Sequence, residues 1–284
     1  MDEKLRRFYS SSELYLSSLE RSLERHGEEI FAKYIALCKA ALPPEASILE
    51  CGCGLGLSAN LLAKEGFKVT AIDVSPLFLS NEKKKYGDQH NLIFLEGDVG
   101  NLPFSDNSFD AVGSSLLMEH VTDVKGVLGE MCRVVRNQGL LIIIMPNFLD
   151  PVQHLTASIW WRHRAKYKPW EAKSRIRSFY EFIRTSCIRI GKAYGINRKI
   201  YPLTPILSDE KDFVGVDFDA TWLANCFDVK NVLKQFGFSI EFLFPQDPGG
   251  KIVRIMRALG LPKGLQTAYK EMRASGFVMI GTKK

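Results

Sequence analysis

Ile48-Leu49-Glu50-Cys51-Gly52-Cys53-Gly54-Leu55-Gly56-Leu57-Ser58 is the stretch from which the rest of the chain is read. A short apolar run ends in a carboxylate, and glycines follow at the second, fourth and sixth positions after it. The pattern predicts a strand closing on an acid, then a turn without β-carbons, where the backbone bends sharply and a ligand can come close. A helix over roughly Leu57 to Glu65 should follow, its partly positive N-terminus facing whatever lies on the loop. This is the opening of a nucleotide-type site. A dinucleotide fingerprint would place its third glycine one residue later. Here that glycine is Gly56, and Leu57 occupies the dinucleotide position.

Outward from the loop, strands and helices alternate. Before it, residues 1 to 46 read as helix: Ser10-Ser11-Ser12-Glu13 offers a start, and Leu14, Leu16, Leu19, Leu23, Tyr34 and Ile35 recur at helical spacing. Pro43-Pro44 ends that segment, and Ala46 to Glu50 is the first strand. Gly66 stops the next helix, and Phe67 to Asp73 is a second strand that also ends in a carboxylate. Ser75-Pro76 is an N-cap with proline at the first helical position, and its helix runs to Tyr86-Gly87. Leu92 to Leu95 is a third strand, ending in Glu96-Gly97-Asp98, and Phe109 to Leu116 a fourth. From Asp123, apolar Val124, Val127, Leu128, Met131, Val134 and Val135 form one helical face. Asn137-Gln138-Gly139 should stop that helix before a fifth strand, Leu140 to Met145. Asp228 reads as the cap of a later helix, followed by strands Phe238 to Phe244 and Phe277 to Thr282. Such alternation predicts an α/β fold with a doubly wound, mostly parallel sheet.

Composition narrows the class. In 284 residues, 46% hydrophobic and 25% charged content is that of a globular chain. The most apolar run, Leu140 to Met145, is far short of the ~20 residues that span a bilayer. The charged start, Met1 to Arg7, is followed by no apolar core of signal-peptide length, which gives a cytoplasmic expectation. Six cysteines show neither a C-x-x-C pair nor metal-ligand spacing, so reduced, buried thiols and no metal site are expected. The net charge of +6 is unevenly spread. Residues 151 to 215 hold 13 Lys and Arg against 5 Asp and Glu, so the remainder of the chain is slightly acidic. The division expected is a helical cap over 1–45, a core over 46–149 and 216–284, a basic, aromatic-rich helical insert over 150–215 and a smaller insert over 245–274.

The motifs together resemble the class I S-adenosylmethionine-dependent methyltransferases, most closely the methyltransferase type 11 or UbiE-like group. The residues that carry the likeness are Glu50-Cys-Gly-Cys-Gly-Leu-Gly, Ala71-Ile-Asp73-Val-Ser75, Gly97-Asp98-Val99, Leu102-Pro103-Phe104, Ser108-Phe-Asp110-Ala-Val and Glu119-His120-Val121. They stand in the family's order, over most of 45–146 and 216–284. The resemblance implies a seven-stranded Rossmann-like sheet with helical lid insertions, and S-adenosylmethionine as cofactor, leaving as S-adenosylhomocysteine. Glu50, Asp73 and Asp98 each close a strand, so their carboxylates should gather on the rim where parallel sheets bind ligands. Asp73 can accept from both ribose hydroxyls. The resemblance gives Asp98 to the adenine amino group, between Val74 and Val99. It also implies that Gly52, Gly54 and Gly56 admit the methionine portion, that Ser114 and Ser115 line its amino end, and that Glu50 lies near the same moiety through water. A turn-capping role for Asp98 is the plain alternative.

The cofactor would carry the difficult chemistry, an in-line displacement at a sulfonium methyl, and the protein would position it. A hydroxyl acceptor also needs a base, most often histidine. His120 stands at the right rim, with a structural role as its alternative; His154 and His163 lie on the insert. Both inserts follow strands whose ends face the cofactor, so they should form a lid over the acceptor. The run Trp160-Trp161-Arg162-His163-Arg164-Ala165-Lys166-Tyr167-Lys168-Pro169-Trp170 interleaves rings with cations, and Lys251 to Leu259 repeats the theme. Such a lid fits an anionic or amphipathic acceptor, whether a small molecule, a glycan or lipid-linked, methylated on oxygen. Peripheral membrane contact is a second reading, RNA a third, and a solvated basic helix face the plain one. Nucleic acid is disfavoured, because neither a D/N-P-P-Y/F motif after the fourth strand nor a Pro-Cys nucleophile is present. A non-catalytic S-adenosylmethionine-binding or regulatory protein is the rival from another class, and an RNA methyltransferase the rival acceptor. The sequence leaves the oligomeric state open.

Overall fold

The computed structural model describes residues 3–87, 89–149, 175–205, 207, 219–243 and 276–283. Two helices, α1 (Glu3–Ser11) and α2 (Glu13–Ala41), precede the sheet. They are separated at Ser12, whose hydroxyl caps α2 by accepting from the Tyr15 amide at 3.1 Å. The alternating unit follows: β1 (Ser47–Cys51), α3 (Leu57–Lys64), β2 (Lys68–Asp73), α4 (Pro76–Tyr86), β3 (Leu92–Glu96), β4 (Phe109–Ser115), α5 (Val124–Val134) and β5 (Val135–Pro146). Then come α6 (Arg175–Ala193), α7 (Cys226–Gln235), β6 (Phe238–Leu243) and β7 (Gly276–Lys283).

The seven strands lie in the order β3-β2-β1-β4-β5-β7-β6, with β7 alone antiparallel to its neighbours. The order reverses between β1 and β4, so their carboxyl ends flank the crevice where ligands of such sheets bind. Successive side chains on the inner strands are buried on opposite faces. Leu49, Val112 and Ile143 pack with Leu128 and Met131 of α5 and Leu233 of α7. Ile48, Ala111 and Ile142 pack with Tyr34 and Cys38 of α2 and Leu62 of α3. Helices on both faces make the sheet doubly wound, as the alternation implied.

Two boundaries differ from the sequence reading. The fifth strand begins at Val135, directly after α5, and runs through Asn137-Gln138-Gly139. Val135 pairs with Phe109 before the ladder shifts ahead of Ala111, and Gln138 takes φ 63°. A bulge thus absorbs residues whose composition signals a turn. The cap of α7 is Asn225, not Asp228. The Asn225 side-chain oxygen accepts from the Asp228 amide at 3.0 Å, and its amide donates to the Asp228 carboxylate at 2.8 Å. Asp228 is therefore the third helical residue of a reciprocal cap.

Cys38, Cys51, Cys53, Cys132 and Cys226 are buried free thiols, while Cys187 on α6 is exposed. No helix among the described residues is long and apolar enough to cross a membrane. His154, His163, the run Trp160 to Trp170 and the segment Lys251 to Leu259 lie outside the described residues, as does most of both expected inserts. Of the first insert, α6 is the main described part.

Candidate active site

The glycine loop is built by backbone bonds. The amides of Gly52 and Cys53 donate to the Ile72 carbonyl at 2.8 and 3.2 Å, turning the chain across the end of β2. Gly52, Gly54 and Gly56 all take positive φ, at 67°, 52° and 65°, where a side chain is strained. A β-carbon on Gly52 would also come within 2.6 Å of Leu117. Gly56 is the N-cap of α3 and offers no side chain to satisfy the helix's first amides.

Around this loop lies a cavity of about 280 Å³. Of the residues expected at the site, Gly52, Gly54, Asp73, Val74, Val99, Ser115 and His120 line it. Asp73 is held from both sides: Oδ1 accepts from the Ser75 amide and Oδ2 from the Gly54 amide, each at 2.9 Å. Burial pushes its carboxyl up to about 6, against those amide bonds and that of Val74, which pull it down. Near neutral pH it is therefore ionised, with lone pairs left to accept hydroxyl donors.

Glu50, Gly56, Asp98 and Ser114 are not among the lining residues. Glu50 is 1% exposed. Its carboxyl accepts a short bond from the Tyr34 hydroxyl of α2 and one of 2.9 Å from the Ser58 hydroxyl of α3. Burial raises it to about 7, opposed by those two donors. Glu50 thus ties the end of β1 to two helices behind the loop. Asp98 is half-buried and its Oδ1 accepts from the Gly100 amide at 2.8 Å, so a turn-capping bond is present there.

The far wall was not legible in the sequence apart from His120. It comes from four separate stretches. The His120 Nδ1 lies 3.4 Å from Asp219 and its Nε2 3.8 Å from Glu119. The Tyr9 hydroxyl donates to the same Asp219 oxygen at 2.7 Å, and the Tyr9 ring meets the imidazole edge-on. Burial first, and the Asp219 charge second, raise the Tyr9 phenol well above its usual range, so it stays a donor. Asp219 reaches this place because the segment after it is pinned to the short 3-10 turn Met118–His120. The Thr221 amide donates to the Glu119 carbonyl at 2.8 Å, and the buried Trp222 indole donates to the Met118 carbonyl at 2.6 Å. Tyr15, Phe78, Leu19 and Leu116 complete an apolar lining. Tyr9 and Asp219 carry no spacing signal; they belong to the site only through the fold.

S-adenosylmethionine fits these residues. The positive-φ glycines make a cradle that β-carbons would fill, and Asp73 presents a carboxylate to the cavity. Among the described residues the buried hydroxyls of Ser114 and Ser115 have no hydrogen-bond partner, which leaves Ser115, on the cavity wall, to meet a polar ligand group.

Residues 49–143 match the model of a methyltransferase domain family. The chain is 36% identical over 113 residues to the 2-methyl-6-phytyl-1,4-hydroquinone methyltransferase of Synechocystis sp., covering 39% of this chain and 36% of that protein. It is 30% identical over 174 residues to the demethylmenaquinone methyltransferase of Beutenbergia cavernae, covering 61% of this chain and 62% of that one. The matches thus span about a third to three fifths of these relatives' length. The solved S-adenosylmethionine-dependent methyltransferase from Mesorhizobium loti superposes with a TM-score of 0.54 at 16% identity, over 89% of this chain and 98% of that chain, a likeness of fold alone. With the family match falling on the glycine loop and β2 to β5, residues 49–143 carry a methyltransferase domain of the class I S-adenosylmethionine-dependent kind.

Proposed function

We propose that this protein is an enzyme that transfers a methyl group from S-adenosylmethionine to a hydroxyl of a small-molecule or lipid-linked acceptor. The observation that carries the reading is one cavity bounded on one side by Asp73 and the glycine loop, and on the other by Tyr9, His120 and Asp219. When bound, S-adenosylmethionine supplies an electrophilic methyl on a positively charged sulfur. The chain's own residues do the rest. Asp73, Gly54 and Ser115 bind and orient. The apolar lining excludes water. His120 takes the acceptor's proton on Nε2, in the tautomer whose Nδ1 proton faces Asp219. Asp219 then balances the charged imidazole, and Tyr9 fixes Asp219 in turn.

An aromatic acceptor suits Tyr15, Phe78 and Leu116, and accords with the hydroquinone and the demethylmenaquinone in the names of the two relatives. The test is S-adenosylhomocysteine formation by purified protein offered hydroquinones, hydroxylated lipids and lipid-linked sugars, with mass analysis of the acceptor. A gain of one methyl on an acceptor oxygen is expected. If S-adenosylhomocysteine binds but no acceptor raises its formation above the rate without acceptor, the protein is a binding protein and the reading falls.

A further inference from the structure

The orientation of α6 is the reverse of an ordinary surface helix. Three of its polar side chains face inward. Thr185, Arg189 and Lys192 are buried together with Ile188. Arg189 donates to the Leu149 carbonyl at 3.2 Å, and Lys192 to the Asp228 carboxylate and the Lys199 carbonyl. Outward stand Ile176, Phe179, Tyr180, Ile183, Ile190 and Tyr194. Their spacing of three, one, three, seven and four residues keeps them on one stripe of a helix. Ile176 at the first turn is 86% exposed and Tyr194, beyond the last, 79%. The stripe therefore runs the helix's whole length, about 28 Å at 1.5 Å per residue. Monomeric proteins rarely leave a contiguous apolar face of this extent in water.

We infer that this face of α6 docks on the surface of a lipid bilayer carrying anionic headgroups. Charge complementarity selects the occupant. Of the 13 basic residues between 151 and 215, set against 5 acidic ones, Arg189 and Lys192 face inward, while Arg198 and Lys199 are exposed just past the end of α6. A second copy would bring the same positive region against itself. The chain's amphipathic segment Lys251 to Leu259 would bring Lys251, Arg254 and Arg257. An anionic bilayer offers an apolar interior for the stripe and opposite charge for its flanks. Three of the six stripe residues are aromatic, two of them tyrosines whose rings suit the headgroup boundary, and the aliphatic ones offer nothing for bases to stack on. The helix also lies at the carboxyl end of the sheet, since Arg189 reaches Leu149, just past the end of β5. That is the end that carries the cavity. The inference does not depend on methyl transfer.

Flotation of the full chain with vesicles tests it, using equal parts phosphatidylglycerol and phosphatidylcholine against pure phosphatidylcholine. The wild type should float with the anionic vesicles and at least about tenfold less with the neutral ones, and salt should weaken its binding. Phe179→Ser, Ile183→Ser and Ile190→Ser together should cut flotation about tenfold or more. That variant should keep the wild-type melting temperature and its rise on adding S-adenosylhomocysteine, because the altered side chains are exposed. Wild type that stays in solution with anionic vesicles overturns the inference, as does a triple variant that floats like wild type. A wild-type dimer dispersed by the triple variant, with no flotation, would give the face to a second copy. A large fall in the variant's melting temperature would give it to a segment of the chain itself.

Discussion

The phenol of Tyr9 donates a 2.7 Å hydrogen bond to Asp219, 210 positions further along the chain, and that bond brings the first helix to the wall of the cavity opposite the glycine loop. The same residue's carbonyl accepts from the Ser75 hydroxyl at 2.8 Å, beside the Asp73 that lines the cavity. One residue of α1 thus touches both halves of the site. Tyr9→Phe removes the bond to Asp219 and keeps the one to Ser75. Methyl transfer should fall about tenfold, equal to about 1.4 kcal/mol of barrier, and stability should fall by about 1 kcal/mol. Affinity for S-adenosylhomocysteine should be unchanged. A variant with wild-type turnover would remove Tyr9 from the acceptor machinery.

His120 is separable from the cofactor residues in the same way. His120→Gln keeps a polar side chain of similar reach but cannot act as a base. Turnover should drop by on the order of 10²-fold, the usual contribution of a positioned base, while S-adenosylhomocysteine still raises the melting temperature. Loss of that thermal shift together with activity would mean that His120 supports the cavity rather than the chemistry.

Asp73 gives a pH-dependent test of the cofactor site. Its carboxyl titrates at about 6 because burial outweighs its amide bonds. Above that value it is an acceptor on both oxygens; below it one oxygen carries a proton. Affinity for S-adenosylhomocysteine, measured by calorimetry, should be level above about pH 7 and decline as pH falls through about 6. Asp73→Asn should weaken binding about 10- to 100-fold, as loss of charge-assisted bonds does, and should flatten the profile. Wild-type affinity in that variant would overturn the ribose assignment.

The glycine-loop side of the cavity was legible because it is local. Glycine spacing fixes a loop, strands end where apolar runs end, and carboxylates at strand ends must reach one rim. The ends of β1 to β4 and of α3 and α4 therefore fell within a residue of their expected places. What failed was composition-based punctuation. Asn137-Gln138-Gly139 reads as a turn but sits in a bulge held by Phe109, and Asp228 reads as a cap but serves Asn225. The opposite wall stayed hidden, since Tyr9 and Asp219 meet only when α1 and the segment before Trp222 fold against the turn at His120. No periodicity records that. The inverted face of α6 was equally invisible, because an amphipathic pattern says that two faces differ and not which one turns inward.

Glu50 should make the fold more stable in mild acid. Its carboxyl is raised from the ordinary 4.5 to about 7 by burial, with Tyr34 and Ser58 opposing. Between these values the folded chain holds a proton that the unfolded chain has lost. This contribution is fully present below pH 4.5 and is lost as pH rises through about 7. Asp73, raised from 3.8 to about 6, acts in the same direction. Glu50→Gln stays uncharged throughout and can still accept from Ser58. Denaturant unfolding of that variant should show a smaller decline between pH 5 and 7 than wild type. An unchanged slope would place the titration elsewhere.

Lys192 and Asp228 form a buried ion pair between α6 and the first turn of α7, and neither side chain reaches solvent. Asp228 also takes the Asn225 amide at 2.8 Å. Burial still keeps its carboxyl above the usual range, against the pull of Lys192 and Asn225. Lys192→Met leaves that carboxylate in the core with one donor, so unfolding at pH 7 should lose about 3–5 kcal/mol. The lone carboxyl then titrates higher still, so protonation relieves the loss, and the deficit should shrink at pH 5. Adding Asp228→Asn to Lys192→Met removes the unpaired charge and keeps a partner for Asn225. The double variant should recover most of the stability at pH 7 and lose the pH dependence. A single variant within about 1 kcal/mol of wild type at both pH values would show that the pair is solvated and that α6 is held by Ile188 and Arg189 instead.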